Sequence, residues 1–205
     1  MKALIVVDIQ NDFLEGGALA VPGGDEIIPL VNSLMPPFEL VVATKDWHPA
    51  DHGSFADNHP DKRPGDMIEL NGLQQVLWPT HCVQDTRGSE FSPHLQSKYI
   101  HKVIFKGTDP GIDSYSGFYD NGHRKSTGLS VYLKDLGVKE VTVAGLAADY
   151  CVKFTALDSM NEGFKTILIE DATRAVNLRD GDFERSLLTM KNAGVLIVKS
   201  SSLKI

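Results

Sequence analysis

Cys151 is the residue best placed by the sequence for covalent chemistry. It follows Val143-Ala144-Gly145-Leu146-Ala147-Ala148-Asp149-Tyr150, which reads as the end of a buried strand, a tight turn at Gly145 and the start of a helix. The first turn of a helix carries unpaired N–H groups and the positive end of its dipole. A thiol placed there is expected to ionise near neutrality, and the same N–H groups can hold a developing oxyanion. A buried structural cysteine is the competing account, because free cysteines are among the most buried residues. Asp8 ends the apolar run Ala3–Val7, and Lys106 ends the run 101–105. A turn acid and a snorkelling lysine are the plain alternatives for these two. If the three meet, the chemistry is coherent. The carboxylate takes the thiol proton, the ammonium offsets the added negative charge, and the protonated acid then supplies a leaving amine. That describes a hydrolase that attacks an amide, forms a thioester and releases it to water.

A second set of residues has metal-ligating character. Asp46 and His48 stand two apart, so in an extended chain both side chains leave on the same side. His52, His59 and His81 follow in the same segment. One carboxylate with two imidazoles suits a borderline divalent ion. Spacing does not separate His48 from His52 or His59, and on the residues alone solvated loop histidines are the plainer account of the pattern.

The elements that must position these groups alternate along the chain. Strands are expected at Ala3–Val7, 39–44, 101–105, 138–144, 165–169 and 195–198. Helices are expected from Asp25 to Met35, from a Ser126 or Thr127 cap to Gly137, from Cys151 to about Gly163, and from Asp180 or Asp182 to Asn192. Alternation of this kind predicts a three-layer α/β/α architecture with a six-stranded, mostly parallel sheet. Asp8, Lys106 and Cys151 would then come from the carboxyl ends of separate strands, where open α/β sheets keep their ligand crevice. From 47 to about 97 no long periodic pattern appears, and a segment of that length in a compact domain usually has a function.

The bulk properties narrow the field. The 205 residues fit one domain, spanning 1–205, with 42% hydrophobic and 23% charged residues as in ordinary globular proteins. Twenty basic against 27 acidic residues leave a net charge of −7, with no basic patch, so nucleic acid and anionic membranes are not expected partners. The apolar run after Met1-Lys2 is too short for a signal peptide or a membrane span. A cytoplasmic location is therefore expected, with Cys82 and Cys151 reduced.

Five separated motifs carry a resemblance: Asp8-Ile9-Gln10-Asn11-Asp12-Phe13, Asp46-Trp47-His48-Pro49, Trp78-Pro79-Thr80-His81-Cys82-Val83, Lys106-Gly107 and Gly145–Val152. Together they resemble the nicotinamidases of the isochorismatase-like cysteine hydrolase superfamily, over about residues 3–199. The resemblance implies hydrolysis of nicotinamide to nicotinate and ammonia, as in NAD salvage, with pyrazinamide also accepted. It implies Cys151 as nucleophile, Asp8 as base and then acid, and Lys106 as stabiliser of the charged pair. It implies a cis peptide between Leu146 and Ala147, with the N–H groups of Ala147 and Cys151 forming the oxyanion site. Asp46, His48 and His81 would bind one divalent ion, zinc before iron or manganese, that holds the pyridine nitrogen, and His52 is carried over as a further ligand found in some members. Phe13, Leu19, Trp78 and Tyr115 would pack around the ring. Tyr150 departs from several relatives and is expected to affect packing alone. Cys82 is expected to be structural, and Glu170-Asp171 to support the crevice. Two other readings compete: a relative acting on another small amide, and a metal-binding or thiol-redox protein without amidase turnover.

Overall fold

The computed structural model describes residues 1–203; the expected 1–205 span ends two positions beyond them. Six parallel strands form the main sheet, in the order β5-β2-β1-β6-β7-β8. They are β1 Lys2–Val7, β2 Leu40–Asp46, β5 Lys102–Lys106, β6 Glu140–Leu146, β7 Lys165–Arg174 and β8 Leu196–Val198. The sheet is parallel throughout, where the sequence predicts a mostly parallel one. The central strands are apolar over most of their length, without a break from Ala3 to Val7, because both faces are covered. Leu4 and Val6 of β1 join Val41, Ala43, Ala144 and Ile167 under helix α1, Ile28–Leu34. Ala3, Ile5 and Val7 face the other way, with Val143 and Leu168, toward α2 Leu129–Asp135, α3 Cys151–Asn161 and α4 Asp182–Asn192.

Chain order runs outward from β1 in both directions, to β2 and β5 on one side and to β6, β7 and β8 on the other. The switch point therefore lies between β1 and β6, where a crevice opens beyond the carboxyl ends of the strands. Gly145 is obligatory beside it: at φ +121, a Cβ would come 2.1 Å from the Val7 carbonyl oxygen.

Several elements differ from expectation. The first helix begins at Ile28, because Gly24–Ile27 forms a 3-10 turn. β7 runs on through Glu170-Asp171 to Arg174 after a register shift against β6. The 47–97 segment contains an antiparallel hairpin, β3 Met67–Leu70 and β4 Leu73–Val76. Its strands are exposed or half-buried except at Gln75, so they lack the continuous apolar run that marks the core strands. The turn signal was there to read: Asn71-Gly72 takes φ +49 and +84, the dipeptide and the conformation of a tight hairpin turn.

Candidate active site

Each acid, base and thiol sits where a strand ends. Asp8 leaves β1 at φ +46, a left-handed conformation that aspartate tolerates better than most residues. Asp46 and Lys106 are the last residues of β2 and β5 and are paired in register. Cys151 is the first residue of α3.

Lys106 is the hub. Its buried ammonium lies 2.8 Å from Asp8 Oδ2, 3.3 Å from Cys151 Sγ and in contact with Asp46 Oδ1, and it donates to the Ser114 carbonyl at 3.1 Å. Burial alone would lower its pKa, but Asp46 and Asp8 outweigh burial and hold it well above the usual lysine value. Asp8 accepts a hydrogen bond from Thr44 Oγ1 at 2.5 Å on Oδ1. Its Oδ2 faces the ammonium as an ion pair, without hydrogen-bond geometry. Burial raises the Asp8 carboxyl above its ordinary value, against the opposing pull of Lys106.

Cys151 corrects one expectation. Burial pushes its thiol well above the ordinary value; Lys106 pulls it down, while Asp8 and Asp46 add to the rise. The helix terminus therefore does not leave a resting thiolate. Desolvation, with two carboxylates close by, is the larger effect, so the proton has to be removed within the site.

Asp46, His48 and His81 converge on the other side of the Asp46 carboxylate. Its Oδ2 is 3.5 Å from His48 Nε2 and 3.7 Å from His81 Nε2, and ligand atoms of the three lie within 4.8 Å of one another. The far nitrogen of each ring is already engaged: His48 Nδ1 with the Gly107 carbonyl at 2.8 Å, His81 Nδ1 with the Pro79 carbonyl at 2.7 Å. A ring that donates from Nδ1 presents a bare Nε2, which is how outer partners orient metal-binding histidines. This donor set fits a divalent ion. Gly107 admits the His48 ring because a Cβ there would come 2.3 Å from its Cε1.

His52 is buried against His48, with ring centroids 4.3 Å apart. Its ligand atoms group with His48 and Asp113, whereas Asp46 and His81 form their own group with His48. Its Nδ1 meets Ser54 Oγ at 2.7 Å, and burial, with His48 beside it, lowers its pKa to about 4. His59 bonds the Gly53 carbonyl at 2.7 Å instead.

A narrow slot of ≈ 30 Å³ opens onto both groups. Phe13, Leu19, Trp78, Tyr115, Ala147, Asp46, His81 and Cys151 all line it. Broader surface grooves exist elsewhere, but none brings these groups together. The Leu146–Ala147 peptide is cis. Neither the Ala147 N–H nor the Cys151 N–H has an acceptor among the described residues.

Some wall residues were not foreseen. Tyr150, expected to affect packing alone, lines the slot and meets Trp78 edge-on at 4.8 Å. Burial, then Asp149, pushes its phenol up to about 12. Asp113 also lines the slot, held by Gln75 Nε2 at 3.0 Å and the Ser114 N–H at 2.7 Å. No local pattern marks Asp113, since the hairpin that supplies Gln75 comes from a distant segment. Glu170-Asp171 lies away from the slot, and Asp171 binds Ser200. Cys82 is buried, unpaired and absent from the metal group.

Comparison with known proteins agrees with this architecture. The Isochorismatase domain family model matches residues 2–201. A nicotinamidase from Escherichia coli K12 is 46% identical over 96% of this chain and 93% of its own length. A solved nicotinamidase/pyrazinamidase from Acinetobacter baumanii superposes with TM-score 0.96 at 48% identity, covering 99% of this chain and 98% of that one. A pyrazinamidase from Pyrococcus horikoshii, solved in complex with zinc, gives TM-score 0.78 at 41% identity over 97% and 98% of the two chains. The chain belongs to the isochorismatase family and, within it, to the nicotinamidases.

Proposed function

We propose that this protein hydrolyses nicotinamide, and by the same route pyrazinamide, through a thioester on Cys151. The observation that carries the reading is the buried contact of Lys106 with Asp8, Cys151 and Asp46, the last two of which line an aromatic slot. Asp8, whose proton affinity burial has lifted, takes the thiol proton as sulfur bonds to the amide carbon. Lys106 keeps the extra negative charge tolerable in a dry site. The carbonyl oxygen, now negative, is received by the N–H groups of Ala147 and Cys151. Asp8 returns the proton to nitrogen, the C–N bond breaks and ammonia leaves. Water then attacks the thioester carbon, Asp8 accepts its proton, and the C–S bond breaks to give nicotinate. The proton on Asp8 restores the thiol.

Asp46, His48 and His81 would hold a divalent ion, zinc by the precedent of the Pyrococcus horikoshii protein. When bound, the ion supplies a Lewis-acid contact for the ring nitrogen. Phe13, Leu19, Trp78 and Tyr115 sandwich the ring, and Tyr150 closes the same wall. His52 supports His48 and is the reserve ligand. We read residues 1–205 as one hydrolase domain with a cytoplasmic role in nicotinamide recycling. No helix among the described residues is long and apolar enough to cross a membrane.

The test is ammonia release from nicotinamide by the wild type, Cys151→Ala and Asp8→Ala. Loss of a nucleophile costs several orders of magnitude in rate, so near-wild-type turnover by Cys151→Ala removes the covalent route. Metal uptake without any ammonia release by the wild type would favour the binding-protein reading instead. Nicotinaldehyde should add covalently at Cys151; a mass spectrum without that adduct counts against the thiol as nucleophile.

A further inference from the structure

Gln10 takes no part in the chemistry above, yet its side chain is fully buried and fully bonded. Nε2 donates to the Asp46 carbonyl at 2.8 Å and to the Ser89 carbonyl at 2.9 Å. Oε1 accepts the Asp46 N–H at 2.8 Å. One amide thus takes both main-chain groups of a single residue, as a neighbouring strand would. The reason lies in the topology. The β1–β2 ladder ends at Val6–Ala43, because the chain turns away at Asp8. β2 continues to Asp46 along β5, where the Trp47 N–H bonds the Lys106 carbonyl. On the β1 side the last stretch of β2 has no strand beside it, and Gln10 stands in for one.

Two residues further on, Asp12 Oδ2 accepts the Cys82 N–H at 2.7 Å. Cys82 adjoins His81, and its carbonyl accepts the His48 N–H at 3.1 Å. Asp8, Gln10 and Asp12 therefore face the base position, the Asp46 backbone and the His81 segment in turn.

We propose that Gln10 is a positioning residue for the cation: it fixes the Asp46 backbone so that Oδ2 faces His48 and His81 while Oδ1 stays on Lys106. This rests on the metal reading above. Outer partners of this kind typically contribute about 10–100-fold to metal affinity. Gln10→Met keeps the length and removes all three bonds.

The experiment strips wild type and variant with a chelator and titrates each with Zn²⁺ against a chromophoric competitor. In parallel, the metal-free proteins are alkylated with iodoacetamide, and the rate at Cys151 is followed by mass spectrometry. The expected result is zinc affinity lower by about 10–100-fold, with Cys151 alkylation unchanged and ammonia release restored by excess zinc. Equal zinc affinity in the two proteins overturns the proposal. So does a joint fall in affinity and alkylation, which would make Gln10 a general structural residue. A wild type that takes up no zinc removes the metal reading itself, and this proposal with it. If Gln10→Met shows no cooperative melt, Gln10→Glu, which loses both donors and keeps the acceptor, is judged by the same outcomes.

Discussion

Thr44→Val isolates the hydrogen bond that Asp8 receives. Thr44 and Asp8 are both fully buried, and Oγ1 donates to Oδ1 at 2.5 Å. Valine has nearly the same shape, so packing around the Gly117 backbone and the sheet is kept and only the donor is lost. Hydrogen bonds to charged groups contribute about 1.5–3 kcal/mol. For a chain of this size each kcal/mol moves Tm by roughly 2–4 °C. The variant should therefore melt about 3–12 °C lower at neutral pH. The bond favours the ionised carboxylate, and it is among the influences that lower the Asp8 pKa against the larger effect of burial. Without it Asp8 holds its proton to higher pH, so less of the base is ionised at any acidic pH. The acid limb of kcat/KM against pH should move upward while the plateau above it is largely kept. Differential scanning fluorimetry and initial rates of ammonia release across pH give both readouts. A lower Tm with an unmoved acid limb would show that Asp8 is not the base. No change in either would refute the energetic argument as well.

Lys106→Met leaves Asp8 and Asp46 buried without their shared cation. Removing one partner of a buried ion pair costs about 3–5 kcal/mol, so the melt should drop steeply, ammonia release should fall by about 10²–10³-fold, and iodoacetamide should label Cys151 more slowly. Wild-type labelling would deny Lys106 its role beside the thiol. Trp78→Phe removes the Nε1–H that donates to the Tyr115 hydroxyl at 3.1 Å. A bond of about 1 kcal/mol predicts a KM for nicotinamide raised roughly fivefold, with kcat nearly unchanged; a pure kcat effect would contradict this. Glu162 is lowered from 4.5 to about 2 by its bonds with Lys134, Ser130 and Tyr119. A depressed carboxyl adds stability above its unfolded value, and that stability is lost as pH falls through the folded one. Glu162→Gln should thus melt lower than wild type at pH 7, and the gap should close between about pH 4.5 and 2. A gap that stays constant with pH would show the effect is not electrostatic.

The core strands were legible because a parallel sheet covered on both faces leaves near-continuous apolar runs, unbroken in Ala3–Val7 and carried in 138–144 by Val138, Val141, Val143 and Ala144. The same runs located Asp8, Lys106 and Cys151 at strand ends without any knowledge of distance. The metal group was legible only in part. Residue type nominates His52 and His59 as readily as His48 and His81, and the bridge between 48 and 83, with the Gly107 and Pro79 carbonyls, is what brings two of the four to Asp46. The hairpin carrying Gln75 was missed because exposed strands carry no apolar rhythm, although Asn71-Gly72 announced its turn.

Sequence alone determined which functional groups exist and at which end of the sheet they emerge, since local hydrophobic pattern and turn chemistry act over neighbouring residues. Tertiary structure decided their protonation and their partners. Burial keeps the Cys151 thiol protonated where a helix terminus by itself favours thiolate, and the early end of the β1–β2 ladder gives Gln10 its place. Desolvation and distance depend on segments far apart in the chain, so neither can be read from the residues nearby.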